Sequence, residues 1–203
     1  MINRVSFYLL FVLTLLSPFA SAKSLLILGD SLSAGYNMQI EQSWPRLLNT
    51  ELAKQGQHDI TIYNGSVSGD TTGNGLAKLP QLLSEHKPDT VLIELGANDG
   101  LRGFQPNVVE TNLTQIIKLS EQQGAKVLLM QIRIPPNYGK RYTQMFEAIY
   151  PRLAEQYSVP LIPFFLESVI TQPEWMMADG LHPTADAQPF IAELVAASIA
   201  EHL

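Results

Sequence analysis

The chain has 203 residues, 46% of them hydrophobic and 16% charged, with a formal net charge of −6 and no cysteine. That composition describes a globular chain long enough to bury a substantial core in one domain. An acidic balance without a basic run argues against a groove that tracks nucleic-acid phosphates, and the lack of thiols rules out disulfides, cysteine nucleophiles and thiolate metal sites.

The chain opens with the short positive segment "MINR", an apolar stretch "VSFYLLFVLTLLSPFA" and the small residues "ASA". This is the pattern of a secretory signal peptide, cut after Ala22 and leaving a single domain over residues 23–203. An uncleaved anchor is the alternative, because the uncharged run from Val5 to Ala22 is borderline for a hydrocarbon layer of about 30 Å. Export to the periplasm, or secretion, is the expected destination.

From Lys23 onward, short apolar runs alternate with longer amphipathic ones. Strands are predicted at Ser24 to Leu28, Ile60 to Tyr63, Thr90 to Leu95, Val127 to Gln131 and Pro160 to Ile162. The helical patterns between and after them run at about Ser43 to Gln55, Gly75 to Glu85, Val108 to Gln123, Arg141 to Tyr157 and Ala185 to Leu203. Five strands alternating with five helices imply a parallel sheet covered by helices on both faces. Trp44, Pro45, Met145 and Phe146 are assigned to the core.

Ligands in such sheets bind in the crevice outside the carboxyl ends of the strands. The loops expected there are "GDSLSAGY", "NGSVSGDTTG", "GANDGLRGFQP", "IRIPPNYGKRY" and "FFLESVITQPEWMMADGLHP". Ser31 in the first is either a helix cap or a nucleophile, and a nucleophile needs a base, a group that orients the base, and donors for an oxyanion. Of the four histidines, His58 and His86 precede strands and His202 is in the tail, so His182 alone lies on the side where Ser31 emerges. Asp179, three residues before it, is placed to orient the imidazole. The backbone N–H of Gly69, which carries no Cβ to obstruct approach, the amide of Asn98 and the N–H of Ser31 are the candidate oxyanion donors. Ser33 reads as a cap or turn hydroxyl. Asp30 is expected to point away from the nucleophile and accept backbone N–H groups, and Asp70 and Asp99 to order loops.

"GDSLS", the glycine of "SGD", the asparagine of "GAND" and the pair in "DGLHP" resemble the four signature blocks of the SGNH (GDSL) hydrolases, across nearly all of the chain after Ala22. Longer segments, among them "ELGANDGLRGFQP", "LLMQIRIPPNYG" and "DAQPFIA", resemble a periplasmic Gram-negative branch of that family. The resemblance implies a flavodoxin-like three-layer α/β/α fold with a five-stranded parallel sheet. It also implies Ser31 as nucleophile, His182 as base, Asp179 as its orienter, and Gly69 and Asn98 as oxyanion donors with Ser31. Its substrates would be fatty acyl thioesters, lysophospholipids and aryl esters. Ala97 departs from the pattern, since many members carry a second glycine there; a positive φ at that position would strain it.

Leu101, Phe104, Ile134, Pro135, Tyr138 and Phe165 form an apolar set in the same loops, read as an acyl-chain groove. No cofactor and no metal site is expected, because His182 is the only histidine near candidate carboxylates. The expected partner is a small-molecule acyl ester or thioester met by a monomer, with transient contact with membrane lipids and none with nucleic acid. Three other readings share this pattern in part. A carbohydrate esterase of the same fold calls for a polar groove, a flavodoxin-like cofactor-binding module would bring phosphate against Asp30, and a non-catalytic binding protein has no need of all four of Ser31, Asn98, Asp179 and His182.

Overall fold

The computed structural model describes residues 23–203; the signal-peptide assignment over 1–22 lies outside them. Five parallel strands form one sheet: β1 (Ser24–Gly29), β2 (Thr61–Asn64), β3 (Thr90–Glu94), β4 (Lys126–Met130) and β5 (Leu161–Ile162), in the spatial order β2-β1-β3-β4-β5. The main helices are α2 (Trp44–Lys54), α3 (Thr72–His86), α5 (Pro106–Gln122), α6 (Lys140–Glu147), α7 (Ile149–Tyr157) and α9 (Gln188–Ile199). Three short ones complete the set: α1 (Ser31–Ala34), α4 (Ala97–Leu101) and α8 (Leu166–Val169).

The chain leaves β1 for β2 in one direction and then steps through β3, β4 and β5 in the other. With right-handed crossovers this puts α2 on one face and α3, α5 and α7 on the other, and α2 packs on α9 while α3 packs on α5. The sheet is covered on both sides, which is why β1 reads "LLIL" without alternation and Leu25 to Leu28 are fully buried. The direction reverses between β1 and β3, so the loops after these two strands flank the switch point where such sheets open a crevice.

The predicted strands stand within a residue or so of those found, and the long helices within a few. The expected single helix from Arg141 to Tyr157 is instead two, broken at Ala148. Pro151 is the physical reason: it has no N–H for the Glu147 carbonyl, and its ring crowds that oxygen. The freed Glu147 carbonyl accepts from Gln131 Nε2 at 3.2 Å instead. Phe146 is fully buried as expected, whereas Met145 is 49% exposed, because adjacent helical residues lie about 100° apart. Trp44 is fully buried, its indole N–H bonded to the Leu32 carbonyl at 3.0 Å.

Candidate active site

Asp30 ends the run of β1 and caps α1, its Oδ1 accepting the Leu32 N–H at 3.1 Å. Ser31 is therefore the first residue of the helix rather than its cap. Ser33, expected to be a cap or turn hydroxyl, is instead fully buried and donates to Glu94 Oε2 at 2.7 Å. With Asp30 as cap, the Ser31 N–H has no intrahelical partner. Neither it nor the Gly69 N–H donates to a protein acceptor among the described residues. Gly69 sits in the turn after β2 at φ 85, and its carbonyl accepts from Arg102 Nη2 at 3.0 Å.

The far end of the chain supplies the ring that meets Ser31. His182 Nε2 lies 2.8 Å from Ser31 Oγ, and His182 Nδ1 lies 2.7 Å from Asp179 Oδ2. The other oxygen of Asp179 accepts the backbone N–H groups of Leu181 at 2.9 Å and His182 at 3.0 Å, which folds the "DGLH" turn around the carboxylate. Desolvation works to raise the Asp179 carboxyl, but these N–H groups and the His182 ring outweigh it and hold it at about 2. An ionised Asp179 only accepts, so the proton of a neutral imidazole sits on Nδ1 and Nε2 is left to accept from the Ser31 hydroxyl. Tyr36, at the end of "GDSLSAGY", stacks on His182 with 4.2 Å between ring centroids, a partner the sequence pattern did not single out.

Asn98 enters from α4. Its Nδ2 donates to Asp30 Oδ2 at 3.1 Å and to the Asp70 carbonyl at 3.0 Å, tying together the loops after β1, β2 and β3. Gly96 makes the turn possible: its φ is 126, and a Cβ there would run into the Tyr150 hydroxyl. The positive φ thus falls on Gly96, and Ala97 is the unstrained first residue of α4. Asp99 orders the neighbouring loop as expected, accepting the Thr72 N–H at 2.8 Å and hydroxyl at 2.6 Å, and Asp70 pairs with Lys78.

Beside Ser31 opens a groove of about 410 Å³. Leu101, Ile134 and Pro135 line it, as expected. Phe104 and Tyr138 do not: both stay over one-third exposed on the rim, where the Tyr138 hydroxyl donates to the Leu101 carbonyl at 2.9 Å. Phe165 is also a correction. It is buried against Trp44, with 6.0 Å between ring centroids, and its neighbour Phe164 faces the groove instead. Leu166 and Ile170 of the α8 segment add to the lining; α8 is four residues long, too short to show a helical period in sequence. Near them Arg133 pairs with Glu167 at 2.6 Å and Glu147 at 3.2 Å.

This geometry can be set beside known proteins. Residues 27–188 match the model of the GDSL-like lipase/acylhydrolase family. Over all 203 residues of both chains, the protein is 62% identical to an arylesterase of Vibrio mimicus. It is 54% identical to thioesterase 1/protease 1/lysophospholipase L1 of Escherichia coli, over 92% of this chain and 88% of that one. The crystal structure of a psychrotrophic esterase, EstA from a Pseudoalteromonas species, inhibited by monoethylphosphonate, superposes with a TM-score of 0.85 at 43% identity, covering 89% of this chain and 98% of that one. On the matched blocks, the parallel sheet and the serine set at its switch point, the chain belongs to the GDSL-like lipase/acylhydrolase family, as an enzyme of the serine hydrolase type.

Proposed function

We propose that this protein hydrolyses fatty acyl esters and thioesters through an acyl-enzyme on Ser31. The observation that carries the reading is the chain of contacts from Ser31 Oγ through His182 to Asp179, at 2.8 and 2.7 Å, opening onto an apolar groove. His182 Nε2 takes the hydroxyl proton as Ser31 Oγ attacks the carbonyl carbon. The resulting oxyanion receives the Ser31 and Gly69 N–H groups, both of which lack a protein acceptor among the described residues, and the Asn98 amide, which exchanges its bond to the Asp70 carbonyl for one to the substrate oxygen. His182 then returns the proton to the departing alkoxide or thiolate, and water repeats the sequence on the acyl-enzyme.

The substrate range follows from the groove and the relatives. A cleft lined by Leu101, Ile134, Pro135, Phe164, Leu166 and Ile170 takes a flexible acyl chain and offers little to a sugar. Relatives named arylesterase and thioesterase/lysophospholipase support aryl esters, acyl-CoA and lysophospholipids as substrates. We assign residues 1–22 to a cleaved export signal, residues 23–203 to one hydrolase domain acting in the periplasm as a monomer, and contact with lipid to the moment of substrate capture. The test is hydrolysis of a chain-length series of p-nitrophenyl esters and acyl-CoAs by wild type and Ser31→Ala, with chelator present. The expected result is a preference for medium or long chains and a loss in the variant of about 10⁶ in kcat. Activity confined to acetyl esters would point to a carbohydrate esterase, and activity surviving in Ser31→Ala would remove Ser31 from the chemistry.

A further inference from the structure

At the floor of the groove, which Asp30 helps to line, Asp30 and Glu94 lie side by side, 1% and 0% exposed. Among the described residues neither is paired with a cation. We propose that Asp30 is a positioning residue, one that does not touch substrate but grips the Asn98 amide and aims it at the oxyanion. The proposal rests on the reading of Ser31 as nucleophile and adds a residue to it.

The amide of Asn98 has two hydrogens, and both are engaged, one by Asp30 Oδ2 at 3.1 Å and one by the Asp70 carbonyl at 3.0 Å. To serve a substrate oxygen it must release one of them. The Asp70 carbonyl is neutral, whereas the Asp30 bond runs to a buried carboxylate and is the stronger, charge-assisted one. Asp30 is therefore the bond that stays, and the amide turns about it. Asp30 is itself fixed, with Oδ1 on the Leu32 N–H and its own N–H directed at Glu94 Oε2, 3.4 Å away.

Glu94 keeps the grip charged. Two carboxyl groups in one buried pocket without a cation do not both ionise. Asp30 accepts one N–H donor on each of its two carboxyl oxygens, while Glu94 takes the Ser33 hydroxyl and the long Asp30 N–H contact on Oε2 alone and leaves Oε1 without a partner among the described residues, so the charge rests on Asp30 and the proton on Glu94. Burial pushes the Glu94 carboxyl well above its usual range, helped by the neighbouring Asp30, and burial raises Asp30 to about 6, which leaves it ionised at neutral pH. Among the described residues, the other charged or titratable groups near Asp30 are Asp70, His182 and the buried Tyr150.

The experiment is a double-mutant cycle of Asp30→Asn and Asn98→Ala, read as kcat and KM on a p-nitrophenyl ester, with Asp30→Ser as a second variant that keeps the cap but removes the oxygen facing Asn98. Asp30→Asn or Asp30→Ser alone should lower kcat about 10- to 100-fold, below the 10² to 10³ expected for removing an oxyanion donor itself, with KM within about threefold. In the Asn98→Ala background the Asp30 change should cost almost nothing more. Equal losses in both backgrounds would overturn the inference while leaving the oxyanion assignment intact. An Asn98→Ala variant with full activity would overturn the oxyanion assignment itself. A carboxylic-acid C=O infrared band at neutral pH that disappears in Glu94→Gln is the expected signature of the proton on Glu94; no such band would refute the division of charge.

Discussion

Two carboxylates stand on either side of Ser31 in opposite surroundings. Asp30 precedes it in sequence and is buried, under the sheet edge, with a second carboxyl beside it; Asp179 comes from the far end of the chain, in a loop open to solvent. Burial pushes the first up to about 6, while the turn of N–H donors holds the second at about 2. The lesson is that closeness in sequence does not select the partner of a catalytic histidine. Asp179 can stabilise an imidazolium because its charge is secured by its own loop. Asp30, costly to ionise, is better placed to hold a neutral amide than to meet a developing positive charge.

The largest expected way to break this contrast is on the exposed side. Asp179→Asn should lower kcat by about 10⁴, because an amide can stabilise the wrong imidazole tautomer. Thermal stability at neutral pH should fall modestly, because a carboxyl held at about 2 in the folded turn marks an ionised form that the fold favours, an effect reduced by the exposure of the loop. Loss of stability without loss of kcat would reverse the assignment of the two carboxylates.

The buried side should respond in stability. The folded-state value of Asp30, about 6, lies above its unfolded value of 3.8, so between them the folded chain holds more protons and stability falls as pH rises. The burden of the buried charge is complete above about pH 6 and fades as pH drops towards 4. Asp30→Asn should therefore raise Tm by a few degrees at pH 7 to 8, on the order of 1–3 kcal/mol, and the gap should close near pH 4. A gap independent of pH would show that the cost is packing rather than charge. The same variant is expected to be the less active one, a trade of function against stability.

The smallest effect belongs to Tyr36, whose ring lies on His182. Tyr36→Leu should lower kcat/KM about three- to tenfold, the 0.5–1.5 kcal/mol typical of a ring pair beyond its burial, and Tyr36→Phe should restore most of it. Kinetics of the two variants side by side would decide whether the stack or the hydroxyl matters.

How much of this was legible beforehand differs from element to element. The five strands were, because each is an apolar run bounded by Gly, Pro or Asn; the central strands β1, β3 and β4 are buried on both faces, while the edge strand β2 stays partly exposed. Ser31, Asn98, Asp179 and His182 were legible as members of loops at one sheet edge. The break at Ala148 was hidden, since the helical period continues across it and only Pro151 marks the interruption. The groove was half legible: Leu101, Ile134 and Pro135 line it, but Phe164 and Phe165 are indistinguishable by composition, and packing against Trp44 decides which one turns inward.

What the amino-acid sequence determined by itself is the alternation of strands and helices, the edge of the sheet at which polar loops gather, and the residue types able to carry acyl transfer, because these depend on local periodicity and turn chemistry. What only the tertiary structure decided is which of those groups touch. That Asp30 caps α1 and grips Asn98, that Glu94 lies beneath it, and that Tyr36 covers His182 all depend on where β1 and β3 meet and on how the last loop folds back over them. Such contacts join residues up to 151 positions apart, and no local preference of the chain encodes them.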